Sequence, residues 1–238
     1  MTNEDRIMID PVYTRGDYLK KNPTWHVEGS PWKAKHILDM INRNRLEPHT
    51  VCEVGCGAGE ILNQLHGQMP QDVLFSGYEI SPQAFEICQQ RAKPRLRFFL
   101  KDILLEDSAP FDVVLAIDVF EHIEDYLGFL RKLHKRGKHT IFHIPLDMYA
   151  LSVLFGSPIR SARRDLRHLH YFSKETALET LRDAGYEITD YFYTPALDLY
   201  KNTFKSSLVK FPRKILFRLN PDLAVRSLGG YSLLVLAK

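Results

Sequence analysis

At 238 residues, with 45% hydrophobic and 26% charged residues, the chain has the composition of an ordinary globular protein able to build one sizeable core. A formal net charge of +3 gives no overall field of the kind that marks nucleic-acid binders. The first residues lack the apolar stretch of a signal peptide, and no apolar run nears the ~20 residues that span a bilayer, so a cytoplasmic protein is expected.

Residues 1–29 are polar and aromatic without steady periodicity and are expected to cover the domain. Ser30-Pro31 reads as a helix start, and Ala34, Ile37, Leu38 and Ile41 continue it at helical spacing to about Leu46. Strand-like runs then alternate with helical ones. Strands are expected at Thr50–Val54, Val73–Tyr78, Leu96–Leu100, Val113–Ile117 and Thr140–Ile144, with helices at Gly59–Leu65, Pro82–Arg91 and Tyr126–Lys132 between them. Such alternation points to crossover units and a mainly parallel sheet. Past Pro145 the rhythm gives way to an irregular stretch rich in arginine and histidine. A helix at Lys174–Ala184, a strand at Tyr186–Tyr193 and a last strand at Ser232–Ala237 close the chain. No repeat or low-complexity linker divides it, so one domain over 1–238 is expected. Cys52, Cys56 and Cys88 form no disulfide framework and are read as reduced thiols.

One strand runs straight into a glycine loop and a helix, as Val51-Cys-Glu-Val-Gly-Cys-Gly-Ala-Gly59. Glycines let the backbone turn tightly and approach a ligand, and the helix behind offers unpaired N–H groups. Dinucleotide-binding loops share this setting, but their third glycine would fall at Glu60, whose carboxylate would face a pyrophosphate. That disfavours a nicotinamide oxidoreductase. Glu53, two residues ahead of the loop, is placed to hold an ammonium, and Glu79 ends the second strand, where acids accept ribose hydroxyls. The series Glu53-x-Gly55-x-Gly57-x-Gly59 with Glu79 resembles the class I S-adenosylmethionine-dependent methyltransferases of small-molecule type. Lys101-Asp102-Ile103 is similar to that family's adenine-contacting turn, and Asp118-x-x-Glu121-His122 to a segment common among its members.

The resemblance implies a Rossmann-like, doubly wound α/β fold with a seven-stranded, mainly parallel sheet and an antiparallel last strand pair. It implies methyl transfer from S-adenosylmethionine to a small or lipid-like acceptor by in-line displacement, the alternative being a degenerate fold kept as a binding subunit. Cofactor contacts are expected at Glu53, Gly55, Cys56, Gly57, Gly59, Glu79, Ile80, Lys101, Asp102, Ile103 and Asp118. Candidate bases are His143, His122 and His170, with His168 nearby. Certain oxygen methyltransferases carry a similar Glu-x-x-Glu-His segment that binds a divalent cation. Here the first acid is a shorter aspartate, so the segment is expected to pack and cap its helix, with no metal.

Two segments bear on the acceptor. Residues 146–172 gather Arg160, Arg163, Arg164, Arg167, His168 and His170, which suits an anionic acceptor. Residues 201–226 carry seven basic residues against Asp222 alone, beside Leu208, Phe211, Ile215 and Leu219 at helical spacing. Such a segment, within an insertion over 197–228, is expected first as a lid and second as a contact with an anionic membrane.

Overall fold

The computed structural model describes residues 24–25, 27–107, 109–196 and 213–238. Its centre is a seven-stranded sheet in the order β3-β2-β1-β4-β5-β7-β6. The strands are β1 (Thr50–Val54), β2 (Leu74–Glu79), β3 (Leu96–Leu100), β4 (Phe111–Ile117), β5 (Gly137–Pro145), β6 (Ile188–Thr194) and β7 (Ser232–Ala237). β1 to β5 pair in parallel, while β7 lies antiparallel between β5 and β6. This is the mainly parallel sheet that the strand pattern predicts, with the antiparallel last pair that the family resemblance implies.

The helices are α1 (Ser30–Arg43), α2 (Glu60–His66), α3 (Pro82–Gln89), α4 (Tyr126–His134), α5 (Ala150–Phe155), α6 (Ser157–Ser161), α7 (Lys174–Asp183) and α8 (Pro221–Leu228). Consecutive β4 residues supply opposite faces of the sheet, as period-two geometry requires. Val113 and Leu115 join α1 and α2 through Ile37, Met40, Leu62 and Leu65. Val114 and Ala116 join α4 and α7 through Leu130, Leu133, Leu178 and Leu181. Apolar layers cover both faces, so the central strands read as continuous apolar runs.

Several boundaries differ from the sequence reading, β5 for example starting at Gly137 rather than Thr140, and three differences have a visible cause. α1 stops at Arg43 because Arg45 adopts φ +54°, a left-handed conformation that ends a helix. β6 begins at Ile188, since Tyr186 turns inward and its hydroxyl donates to the Leu130 carbonyl. The stretch 146–172, which lacks periodicity in sequence, is largely helical: α5, α6 and a π-helical turn at Ala162–Leu166. These pieces are too short for a periodic signal; Gly156, at φ +66°, ends α5 and starts α6. Of the predicted N-terminal cover only Thr24, Trp25 and the turn Val27–Gly29 belong to the described residues, and 197–212 of the second insertion lie outside them. The chain resumes as a helical segment over 213–219, followed by α8.

β2 and β3 approach closely at Gly77, where a Cβ would stand 2.5 Å from Phe98 Cδ1 and 2.9 Å from Cys56 Sγ. Gly77→Ala is therefore expected to lower unfolding stability by about 1–3 kcal/mol by overpacking, read from the midpoint of urea unfolding. A midpoint equal to the parent's would show that the sheet yields here.

Candidate functional site

The strand order changes direction between β1 and β4, and at the carboxyl ends of such strands an open α/β sheet leaves a crevice. A cavity of about 420 Å³ occupies it, lined among others by Lys33, Glu53, Gly57, Asp118, His143 and His168. The glycine loop forms its floor. Gly55, Gly57 and Gly59 all have positive φ, between 53° and 74°, which side chains with a Cβ rarely adopt. Cys56 is buried, its N–H donating to the Tyr78 carbonyl at 3.1 Å. The Trp25 indole lies over Gly57, with Cδ1 2.5 Å from where a Cβ would stand. No pattern in residues 1–29 singles out that tryptophan.

Glu53 is buried, and among the described residues its Oε2 has no hydrogen-bond partner. Burial pushes its carboxyl well up, against the pull of the Lys33 ammonium. A buried carboxylate with an unused oxygen facing a cavity is suited to an incoming ammonium. Glu79 is differently placed from the sequence expectation. Its Oε2 accepts the Gly57 N–H at 2.7 Å, and its Oε1 accepts those of Ile80 and Ser81 at 2.8 Å each. Three of the roughly four acceptor positions of a carboxylate are thus spent on backbone. Glu79 clamps the glycine loop to the end of β2, leaving little capacity for both hydroxyls of a ribose. Ile80, Lys101, Asp102 and Ile103 lie at the ends of β2 and β3 and do not line the cavity. Asp102 caps the turn Ile103–Leu105 through the Leu104 N–H at 2.9 Å, and Lys101 pairs with Glu106 at 3.1 Å.

Asp118 joins three elements. It ends β4 at φ +54°, a strained position for a residue with a side chain. One oxygen meets Lys33 Nζ from α1 at 2.6 Å, and the other meets His143 Nδ1 from β5 at 2.5 Å. Burial alone would raise its carboxyl, but His143 and Lys33 hold it far below the usual carboxylate range. Burial also works against the Lys33 charge, yet Asp118, with Glu53 and Glu121, keeps that ammonium above the ordinary lysine value. Because an ionised Asp118 only accepts, His143 donates from Nδ1. His143 Nε2 in turn meets the buried Thr194 hydroxyl of β6 at 2.9 Å. Both ring nitrogens are engaged, so this candidate base ties β4, β5 and β6 together.

The other two candidates separate. His170 turns its Nε2 to the Ile123 carbonyl at 2.9 Å and its ring to Tyr126, away from the cavity. His122 lines the cavity with His168, and their rings meet edge to face at 5.0 Å between centroids. Burial, aided by His168, brings the His122 imidazole down to about 4. Beside them Glu121 is fully buried, with His122 Nε2 3.9 Å from its Oε1, and neither carboxylate oxygen has a hydrogen-bond partner among the described residues. His168 Nδ1 meets Asp147 Oδ2 at 2.5 Å. Of this group the sequence reading places His168 last and gives Asp147 no role, because the segment that brings them back over β4 has no periodicity to fix its path.

A methyltransferase-domain family profile matches residues 32–191, more than half of the chain. The chain belongs to the methyltransferase-domain family. Among curated members it is 24% identical over 120 residues to the malonyl-(acyl-carrier protein) O-methyltransferase of Paenibacillus sp. strain JDR-2, covering 46% of this chain and 43% of that protein. It is 28% identical over 130 residues to the ubiquinone biosynthesis O-methyltransferase of Methylocella silvestris, covering 52% and 46%. The chain thus spans under half the length of these two relatives. The magnesium protoporphyrin IX methyltransferase of Synechocystis PCC 6803, solved with bound SAM, superposes at a TM-score of 0.59 with 15% identity, covering 98% of both chains. This similarity concerns the fold, and it agrees with the strand order described above.

For this family member, the folded Asp118 carboxyl titrates below its unfolded value of about 3.9. Its stabilisation is therefore complete above about pH 4 and is lost as pH falls through the folded value. Asp118→Asn is expected to cost about 1.5–3 kcal/mol at pH 7, the range for hydrogen bonds to charged groups. The gap from the parent should narrow in acid as the parent carboxyl becomes protonated. Urea unfolding at a series of pH values checks this; a gap independent of pH down to the acid limit would assign the loss to shape rather than charge.

Proposed function

We propose that the protein is an S-adenosylmethionine-dependent methyltransferase acting on a small-molecule or lipid-like acceptor. The observation that carries this reading is the buried Glu53 carboxylate, with one unpartnered oxygen, beside a three-glycine loop at the switch point of the sheet. In this reading Glu53 receives the α-ammonium and the loop backbone carries the ribose and methionine chain, while Asp102, beyond the cavity at the end of β3, would meet the adenine edge where it extends past the cavity. Glu79 acts by fixing the Gly57 amide, with at most one acceptor position left for a ribose hydroxyl. When bound, the cofactor supplies a sulfonium-activated methyl group. What this chain then contributes is alignment of the acceptor and exclusion of water. The curated relatives methylate, by their names, a malonyl-acyl-carrier protein and ubiquinone precursors. With Arg163 and Arg167 in the neighbouring segment, they favour an acceptor bearing a carboxylate, phosphate or phenolate over nucleic acid.

Calorimetry with S-adenosylhomocysteine should give binding in the micromolar range, with a change in tryptophan fluorescence, because Trp25 lies on Gly57 and the chain has only two tryptophans. Glu53→Gln should weaken binding by roughly 1.5–3 kcal/mol through loss of a charged hydrogen bond. Glu79→Ala should weaken it while also loosening the loop. Heat with NAD and none with S-adenosylhomocysteine would overturn the reading.

The finer question is where the acceptor comes from. No helix among the described residues is long and apolar enough to cross a membrane. Residues 197–212, with Leu208 and Phe211, lie outside the described ones, but 213–226 extend the feature. Ile215, Leu219 and Leu223 are exposed there beside the basic residues Lys214 and Arg218, and Val153, Leu154 and Phe155 stand out on α5, which packs against α8. We read this surface as a peripheral contact with anionic lipid. Sedimentation should show binding to phosphatidylglycerol-containing vesicles that falls with salt, and none to neutral vesicles. Binding indifferent to lipid charge and salt would leave the segment as a lid alone.

A further inference from the structure

We propose that His168, oriented by Asp147, is the base that takes the proton from a phenolic acceptor hydroxyl. This assignment rests on the methyltransferase reading above and adds to it the residue and the acceptor class.

The other candidate imidazoles are committed elsewhere. His143 uses both ring nitrogens, on Asp118 and Thr194. His170 turns Nε2 to the Ile123 carbonyl and lies away from the cavity. His122 turns Nδ1 to the Arg167 carbonyl at 3.2 Å, and burial, aided by His168, brings its imidazole down to about 4, which makes it a weak base. His168 is buried and lines the cavity. Its Nδ1 lies 2.5 Å from Asp147 Oδ2. A carboxylate accepts, so the proton sits on Nδ1 and the Nε2 lone pair is left for a substrate. Among the described residues no hydrogen bond engages that nitrogen.

The backbone holds this pair in place. The π-helical turn at Ala162–Leu166 ends at Arg167, whose φ of +66° is left-handed, and the next side chain lines the cavity. The His168 N–H returns to the Ala162 carbonyl at 3.1 Å, and those of Leu169 and His170 reach the Glu121 carbonyl at 2.7 and 3.1 Å. Beside Asp147, the Met148 N–H donates to the Phe172 carbonyl at 3.0 Å. Single π turns and left-handed residues with a side chain recur where a fold holds a functional group against local preference.

The chemistry of a base names the acceptor. The charged and titratable groups around His168 are Asp147, His122, Glu121 and, next in the chain, Arg167. An acceptor carboxylate is already ionised at neutral pH and leaves a base nothing to do. An aliphatic alcohol holds its proton too tightly for an imidazole. A phenol, with a pKa near the tyrosine value of about 10, lies within reach. Pro145, Leu166 and Ala196 also line the cavity, and apolar walls suit an aromatic ring. In the step, His168 Nε2 takes the hydroxyl proton while the phenolic oxygen bonds to the methyl carbon. The carbon–sulfur bond breaks and its electron pair stays on sulfur. The imidazolium, balanced by Asp147, then loses the proton to water.

The test uses the full chain with S-adenosylhomocysteine bound and 4-nitrocatechol as probe, a phenol whose ionised form is read by visible absorption. At a pH where most of the free probe is protonated, the parent should bind it and raise its phenolate fraction, the proton having passed to His168. His168→Gln should bind it without that rise. With S-adenosylmethionine instead, kcat/KM for methylation of the same probe should fall about 10²–10⁴-fold in His168→Gln. That deficit should shrink as pH rises and the probe ionises by itself. Asp147→Asn should move both readouts in the same direction, because the ring then loses the tautomer that presents Nε2; it decides the matter should His168→Gln unfold. S-adenosylhomocysteine affinity, measured calorimetrically, should be the same in all three proteins. A phenolate fraction and a methylation rate unchanged by His168→Gln, or a parent that neither ionises nor methylates the probe, overturns the assignment. A parent that binds no S-adenosylhomocysteine marks instead the failure of the cofactor reading, and the assignment falls with it.

Discussion

The Asp118 carboxylate, held between Lys33 of α1 and His143 of β5, is the contact on which the rest of the site depends. It sits where β4 ends at the switch point, in a conformation the backbone adopts only when its surroundings enforce it. Through Lys33 it draws α1 across the mouth of β1 and brings a positive charge within reach of Glu53. Through His143 and Thr194 it reaches across to β6. One carboxylate thereby fixes how α1, the central strands and the outer strand frame the cavity. Breaking it would leave a lysine and a histidine facing each other in a half-dry crevice.

The charge arrangement inside that frame is asymmetric. Near the glycine loop, Glu53 and Glu79 are both buried, but Glu79 is satisfied by three backbone donors while Glu53 keeps an unused oxygen. Near the 146–172 segment, Glu121 has no hydrogen-bond partner on either oxygen among the described residues, beside two histidines. Buried acids without partners are rare in folded proteins because desolvation is not returned. Glu53 lines the cavity, and Glu121 lies buried beside the His122 that lines it.

The motifs between β1 and β4 were legible because glycine spacing, strand ends and acid positions are local properties. Glu53, the loop and Asp118 all lie where a strand–loop–helix reading puts them. The backbone contacts of Glu79 were not legible, since they depend on which way a side chain turns at the end of β2, where three amide N–H groups meet it. The partners of His143 were not legible either, because Thr194, fifty-one residues later, returns beside its ring.

What the sequence by itself determined is the architecture: alternating apolar runs admit little else than a doubly wound sheet, and the positive φ required at Gly55, Gly57 and Gly59 sets the ligand-facing turn. What only the tertiary structure decided is the membership of each polar cluster. His168 and Asp147 come from a segment of short helices with no period to predict its path, and Trp25 from a stretch with no pattern at all. Side chains distant in sequence share a cavity only after the sheet has fixed where their segments cross, and partner choice among buried charges follows from that geometry rather than from spacing along the chain.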